Sequence, residues 1–415
     1  MQKESSKRVL MITYHFPPLE GSSGILRTLK FATYLQDFNY QPIVLTINRR
    51  AYQFHNERTT SQIPKDILVK RAFGLDTKQH LSFKGFYFSW MATPDRYVSW
   101  IPAAVFSGLR LIRKYSVSHI YSTYPIPSAH IIGLMLKRLT NKPWLADFRD
   151  PMWDDDSPMP PAQLKIRQKV ESIVVKKADH ITVTTGGTRN LFIKRYPERE
   201  PDNISVIGNG FDEEDFMNIQ HSPCSNRPPF RMIHAGLLEP HERDPIPFFH
   251  AIKQLVAKED FVRDEIFVEL RASGNERSYK KIVSELGLSD VIQICPRLPY
   301  QEILRKMAEA HILLLFQGPS CNHQIPAKAY EYLRIGRPII ALTPEGSDTA
   351  NLIRQANAGI VVPPDEPDTI AASIGRLLKR MQNGNSMPSS NGKDLGKFSR
   401  RHQTTRLAKL FDRMG

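Results

Sequence analysis

Residues 322–342 read NHQIPAKAYEYLRIGRPIIAL, and the order loop, helix, buried strand in that stretch decides the fold. Pro326 suits the first turn of a helix, where its missing N–H costs nothing. Lys328, Glu331 and Tyr332 follow on the first turns, and Gly336 stops the helix before Arg337-Pro338. Ile339-Ile340-Ala341-Leu342 is a short apolar run of the kind that forms a fully buried strand. A helix start offers free backbone N–H groups and a positive dipole end, both of which favour a phosphate. Lys328 and Glu331 stand three apart and share a face. A cation for a diphosphate and a carboxylate for sugar hydroxyls therefore sit together. The plainer alternative is an amphipathic helix whose Lys and Glu are merely solvated.

Outward from this stretch, strand and helix patterns alternate in both directions. Residues 9–13 (VLMIT) read as a buried strand, followed by a loop with Pro17, Pro18, Gly21 and Gly24, a helix over 25–38 and a strand over 42–47. That order opens a parallel α/β domain, and the loop is not the GxGxxG dinucleotide fingerprint. Residues 49–105 are polar and aromatic-rich without a clear pattern. Within them PDRYVSWIP, carrying Arg96, Tyr97, Trp100 and Pro102, reads either as an acceptor-cleft wall or as ordinary surface structure. Strands over 118–122, 143–148, 180–184 and 204–207 follow, with helices over 128–139 and 161–178 and another opening at Thr185-Gly186-Gly187. The segment 220–229, with three prolines and no apolar pattern, reads as a linker. Alternation then resumes through 230–385, with the flexible-looking NGNSMPSSNGK at 383–393 and a basic helix at the end. The expected division is an N-terminal domain over 1–219, a C-terminal domain over 230–385 and a terminal helix within 394–415.

The strand over 143–148 ends in Asp147-Phe148-Arg149-Asp150-Pro151. Ligands of open parallel sheets collect beyond the carboxyl ends of the strands, and three charged side chains packed there are costly unless paired or used. An Arg–Asp pair that clamps the strand end is the structural alternative to a catalytic role.

The formal charge is +15, which calls for an anionic partner. No zinc-finger, RNP-like or basic-zipper pattern supports nucleic acid. Lys and Arg beside apolar residues at 109–114 and 134–139 make an anionic membrane surface a candidate partner, against ordinary helices with one core face. No apolar run approaches the ~18–20 residues a membrane-spanning helix needs. The N-terminus runs from a charged start straight into a strand, without a signal-peptide core. Cys224, Cys295 and Cys321 are too few, too scattered and odd in number for a disulfide framework or a zinc site, so a reducing cytoplasm is expected. Asp154, Asp155 and Asp156 form an acidic cluster without the loop context of a DxD metal motif.

Taken in order, these pieces resemble the GT4-type glycosyltransferases of the GT-B fold, in which two Rossmann-like parallel-sheet domains face each other across a cleft. Residues 17–27, PPLEGSSGILR, resemble that family's PP-x-x-GG-x-x-R opening, which puts Gly21 and Gly24 near the donor. Residues 208–212, GNGFD, resemble the stretch by which such chains leave the first domain. The run from Asp147 to Trp153, DFRDPMW, resembles a bacterial subset acting in surface polysaccharide synthesis. The resemblance implies that Glu331 grips the ribose of a nucleotide sugar, with Arg243 and Lys328 on its diphosphate. His323 stands where the family often carries a second glutamate that touches the sugar. Asp150 is the first candidate for a base or orienting group on the acceptor hydroxyl, Asp147 the second, and Arg149 would hold a carboxylate or an acceptor phosphate. It further implies transfer with retention to a glycan or lipid-linked acceptor, no metal, no cofactor beyond the nucleotide-sugar donor, a terminal helix that packs back on the first domain, and work in the cytoplasm or on the inner face of the membrane. The alternatives are a catalytically silent GT-B scaffold that binds a nucleotide sugar or a protein, and a sugar-nucleotide epimerase of similar fold.

Overall fold

The computed structural model describes residues 6–21, 24–84, 86–154, 159–220, 225, 227–257, 263–385, 387–390 and 394–415. Two compact units are present: Met1–Asn209 with Arg400–Gly415, and Gly210–Ser399. The chain passes from one to the other inside the 208–212 glycine stretch and again at 399–400.

The first unit is built on seven strands: β1 (Lys7–Ile12), β2 (Tyr40–Ile47), β3 (Leu68–Ala72), β4 (His119–Thr123), β5 (Trp144–Arg149), β6 (His180–Val183) and β7 (Ile204–Val206). Their order in the sheet is β3-β2-β1-β4-β5-β6-β7, and all neighbours are parallel. Val9, Leu10, Met11 and Ile12 are fully buried, as a central parallel strand covered on both faces requires. Helices α1 (Gly24–Tyr34), α2 (Thr77–His80), α3 (Trp100–Tyr115), α4 (Pro127–Thr140), α5 (Pro161–Lys177) and α6 (Gly186–Arg195) connect the strands. Thr185 caps α6 by accepting the Thr188 N–H at 3.0 Å.

The second unit carries β8 (Phe230–Ala235), β9 (Ile266–Arg271), β10 (Ile292–Cys295), β11 (Ile312–Phe316), β12 (Ile339–Leu342) and β13 (Gly359–Val362). Its parallel order is β10-β9-β8-β11-β12-β13. Helices α7 (Ile246–Ala257), α8 (Glu276–Glu285), α9 (Tyr300–Glu309), α10 (Ala327–Ile335), α11 (Asp348–Gln355) and α12 (Pro367–Gln382) complete it. Two apolar clusters fill the unit, one around Phe248, Ile252 and Leu314, the other around Leu313, Tyr332 and Ile353.

The last helix, α13 (Arg400–Met414), belongs to the first unit. Leu407, Leu410 and Phe411 join Phe31, Tyr40 and Tyr121 in one cluster, and Tyr40 donates to Asp412 at 2.7 Å. The stretch read as a flexible linker is, where described, part of the second unit. Ser390 is buried and donates to the Leu333 carbonyl at 2.6 Å, and Met387 packs on the core. Residues 49–105, opaque to pattern, contain an edge strand (β3), short helical turns and the start of α3. Tyr97 and Trp100 are core residues there, and the Tyr14 hydroxyl donates to that of Tyr97 at 2.7 Å. No described helix is long and apolar enough to cross a membrane.

Candidate functional site

Sheet order reverses direction at β1/β4 in the first unit and at β8/β11 in the second, and the crevices beyond those strand ends are where doubly wound sheets take ligands. Residues singled out from the sequence cluster at both places.

In the second unit, β8 delivers His234 and then Gly236 to the crevice. The His234 ring is fully buried, with Nδ1 2.9 Å from the Leu314 carbonyl and Nε2 3.2 Å from Lys328 Nζ. Nε2 also lies 3.1 Å from the Gly236 carbonyl, so both ring nitrogens face a carbonyl and the lysine shares the Nε2 side. Burial first, and the charges of Lys328 and Arg243 next, hold the His234 pKa well below the usual imidazole range.

Helix α10 delivers Lys328. Pro326 is its N-cap rather than a first-turn residue, and Gly336 closes it with a left-handed φ of 76°. The Lys328 stem is partly exposed, but its ammonium reaches under cover toward β8. A Cβ on Gly236 would stand 2.4 Å from Nζ, and Gly236 has φ +130°, so only glycine leaves room for this crossing. Burial, then the nearby Arg243 charge, lower the Lys328 pKa to about 7, while Glu331 opposes them. Arg243 sits in the loop after β8, pairs with Glu242 at 3.1 Å and is anchored by its own N–H on the Glu239 carbonyl at 2.7 Å. About one turn further along α10, Glu331 accepts from the Tyr300 hydroxyl at 2.9 Å, and Asp215 lies 3.4 Å from the same hydroxyl. Lys328, Arg243 and Glu331 thus share one electrostatic neighbourhood. His323 stands in the loop ahead of the helix, not on it. Gln317 pins that loop by donating to the Cys321 and Gln324 carbonyls at 2.7 and 2.9 Å.

In the first unit, Asp147 is fully buried at the end of β5. The Arg27 guanidinium grips both of its oxygens, at 3.0 and 3.1 Å. The hydroxyls of Tyr121, Thr123 and Thr182 add bonds at 2.7, 3.0 and 2.9 Å. Burial raises the Asp147 carboxyl, but the Arg27 charge and its hydrogen bonds outweigh that and hold it below the ordinary range. Every lone pair of Asp147 is engaged, and Arg27 also donates to the carbonyls of Ile207 and Gly208 at 2.9 and 2.7 Å. Asp147 is therefore the clamp of the strand end, which removes it from the candidates for an acceptor base.

Arg149 follows a register shift between β5 and β6 and adopts a left-handed φ of 61°. The turn is held by Thr184, whose N–H and hydroxyl both donate to the Arg149 carbonyl, at 3.2 and 2.8 Å. The guanidinium folds back on the start of α1, where a Cβ on Gly24 would stand 2.2 Å from Nη1. Gly24 is thus the residue that admits Arg149, and the glycine loop and the charged strand end do meet. Asp150 is the half-exposed carboxylate beside it and the strongest opponent of the burial that lowers the Arg149 pKa. Asp155 and Asp156 lie outside the described residues, and among those described no group of three His, Cys, Asp or Glu side chains could hold a metal ion. Three contributors escaped sequence reasoning. His234 and Gly236 look like an ordinary strand and turn, and Arg27 like one more helical arginine; the PP-x-x-GG-x-x-R spacing was the only hint of the last.

Two parallel-sheet units of this kind, with their crevices at the strand-order reversals, define the GT-B fold. Sucrose-phosphate synthase from Thermosynechococcus elongatus shares it at a TM-score of 0.70, with 14% identity and 98% of each chain covered. Anabaena HepE in complex with UDP matches at 0.68, with 14% identity over 98% of this chain and 100% of that one. The lipopolysaccharide outer core galactosyltransferase WaaB matches at 0.63, with 11% identity over 98% and 99%. At such identities the likeness speaks for the fold. No curated protein matches the chain. Residues 229–380 match the family Glycosyl transferases group 1, so the second unit carries a domain of that family.

Proposed function

We propose that the chain is a glycosyltransferase that moves a sugar from a nucleotide-diphosphate donor to a glycan or lipid-linked acceptor. The observation that carries this reading is the enclosed Lys328 ammonium. It lies at the strand-order reversal of a group 1 glycosyltransferase domain, beside Arg243 and Glu331. Among the described residues no carboxylate is in salt-bridge contact with it, and such an ammonium is poorly compensated until an anion arrives. Lys328 and Arg243 bind the diphosphate, Arg243 through a forked contact, and Glu331 accepts from the ribose hydroxyls. HepE, of like fold, holds UDP.

In the reaction the bond from the anomeric carbon to the diphosphate oxygen breaks and a bond to the acceptor oxygen forms. The electron pair of the broken bond leaves with the nucleoside diphosphate, where fixed positive charge stabilises it without a metal. The acceptor proton passes to Asp150 or to the departing phosphate. Retention of configuration follows the family resemblance, as does work at the cytoplasmic face of a membrane. Incubation with a panel of radiolabelled nucleotide sugars tests the reading: slow donor hydrolysis without acceptor supports it. Binding without turnover supports instead a silent scaffold, the reading that His323 in place of the family glutamate favours. Conversion of the free nucleotide sugar to an epimer would identify an epimerase.

A further inference from the structure

Among the described residues, large exposed apolar side chains concentrate in the stretch 81–90, LSFKGFYFSW, far along the chain from both crevices. Phe83, Phe86, Phe88 and Trp90 are 78%, 83%, 71% and 71% exposed, and Leu81 and Tyr87 are also exposed. The base of this excursion is tightly held. Asp76 is buried and caps α2 by accepting from the N–H groups of Lys78 and Gln79, at 2.9 and 3.3 Å. Thr77 ties the two ends together, its N–H to the Arg96 carbonyl at 2.9 Å and its hydroxyl to that of Met91 at 2.7 Å. Above that base Phe83 and Phe86 exchange backbone hydrogen bonds, both 2.9 Å, and Lys84 has φ +48°. The Phe88 and Trp90 rings stack with centroids 6.4 Å apart.

We propose that this aromatic hairpin inserts into the headgroup layer of an anionic lipid membrane. Its composition selects that partner. Residues 77–94 contain Lys78 and Lys84 and not one carboxylate, in a protein of net charge +15. Tryptophan and tyrosine favour the bilayer interface, phenylalanine goes deeper, and a lysine on a flexible stem reaches back to lipid phosphates. Lys84 is already poised over the Phe83 ring at 5.8 Å. The helices expected to lie on lipid are less suited. Leu111 and Ile112 of α3 and Leu134 and Leu136 of α4 face the core, leaving only scattered apolar residues outside. The inference does not depend on the donor-site reading, although a membrane-bound enzyme would meet a lipid-linked acceptor directly.

The test uses the whole protein with vesicles of phosphatidylcholine alone or mixed with phosphatidylglycerol. Of the four tryptophans Trp100 and Trp144 are fully buried and Trp153 packs partly buried on the core, so Trp90, 71% exposed, is the main reporter, and Trp153→Phe removes the remaining partly exposed signal. Expected are a blue shift and quenching by bromine-labelled acyl chains with the anionic vesicles, both weakened by salt. The combined variant Phe83→Ser, Phe86→Ser, Phe88→Ser should bind these vesicles at least roughly tenfold more weakly. It should keep the circular dichroism spectrum and thermal transition of the parent, which shows that it is folded and keeps this outcome independent of the donor site. Lys78→Glu with Lys84→Glu should reduce binding to anionic vesicles only. Wild-type protein that ignores anionic vesicles, or a triple variant that binds them undiminished, overturns the proposal. So does a hairpin-dependent complex with a soluble protein in the absence of any vesicle binding.

Discussion

Lys328 gives the sharpest prediction, because its pKa sits near 7 in the ligand-free protein. A lysine titrates near 10.4 in an unfolded chain, so the two states differ by about three units or somewhat more, worth up to ~5 kcal/mol at 1.36 kcal/mol per unit. Partial exposure of the side chain reduces this to a few kcal/mol. The sign follows from proton counting. Between pH 7 and about 10 the unfolded chain holds the proton that the folded one has lost, so this group's contribution to stability rises with pH there. Below pH 7 both states are protonated and the full penalty applies. An incoming diphosphate needs the charged form, and its negative charge restores that form. Binding of UDP, measured by calorimetry, should therefore be strongest near pH 7 and fall about tenfold per pH unit above it, until the raised pKa of the complex is reached. Lys328→Met should remove most of the affinity and the pH slope together, while leaving the protein as stable or ~1–4 kcal/mol more stable below pH 7. A flat pH profile in the wild-type protein, or a Met variant that binds as well as the parent, would refute this account of the lysine.

Further predictions concern its neighbours. Gly236→Ala places a methyl group 2.4 Å from Nζ at φ +130°, and should lose UDP affinity together with ~1–3 kcal/mol of stability in urea titration; unchanged binding would mean the lysine takes another route. Glu331→Ala should cost most of the donor affinity at an unaltered circular dichroism spectrum, and retained affinity removes the ribose assignment. Arg27→Met strands the buried Asp147 carboxylate and should destabilise by ~3–5 kcal/mol, with recovery when Asp147→Asn is added; a loss under ~1 kcal/mol would show that the pair is not the clamp described. Asp150→Asn should slow transfer without weakening donor binding, and equal turnover rejects Asp150 as the acceptor group.

Alternation of apolar strand runs with helical periods was enough to read both parallel sheets from the chain, because a strand buried on both faces has to be written in continuous apolar residues such as VLMI and IIAL. The ends of α10 were legible for a related reason: Pro326 before its first turn and Gly336 after its last each answer a local need of a helix end. Local pattern failed between residues 49 and 105, where β3 is a sheet edge with mixed polarity and the aromatic hairpin has no core to face. It also could not rank Asp147 against Asp150. The two carboxylates stand three residues apart in one run, and which of them is sealed depends on Arg27, Tyr121, Thr123 and Thr182, drawn together from three elements. The types of residue at the crevices were thus set by the chain itself. Their protonation, and the division between clamp and candidate base, came only with the fold, since burial and pairing are properties of distant residues brought into contact.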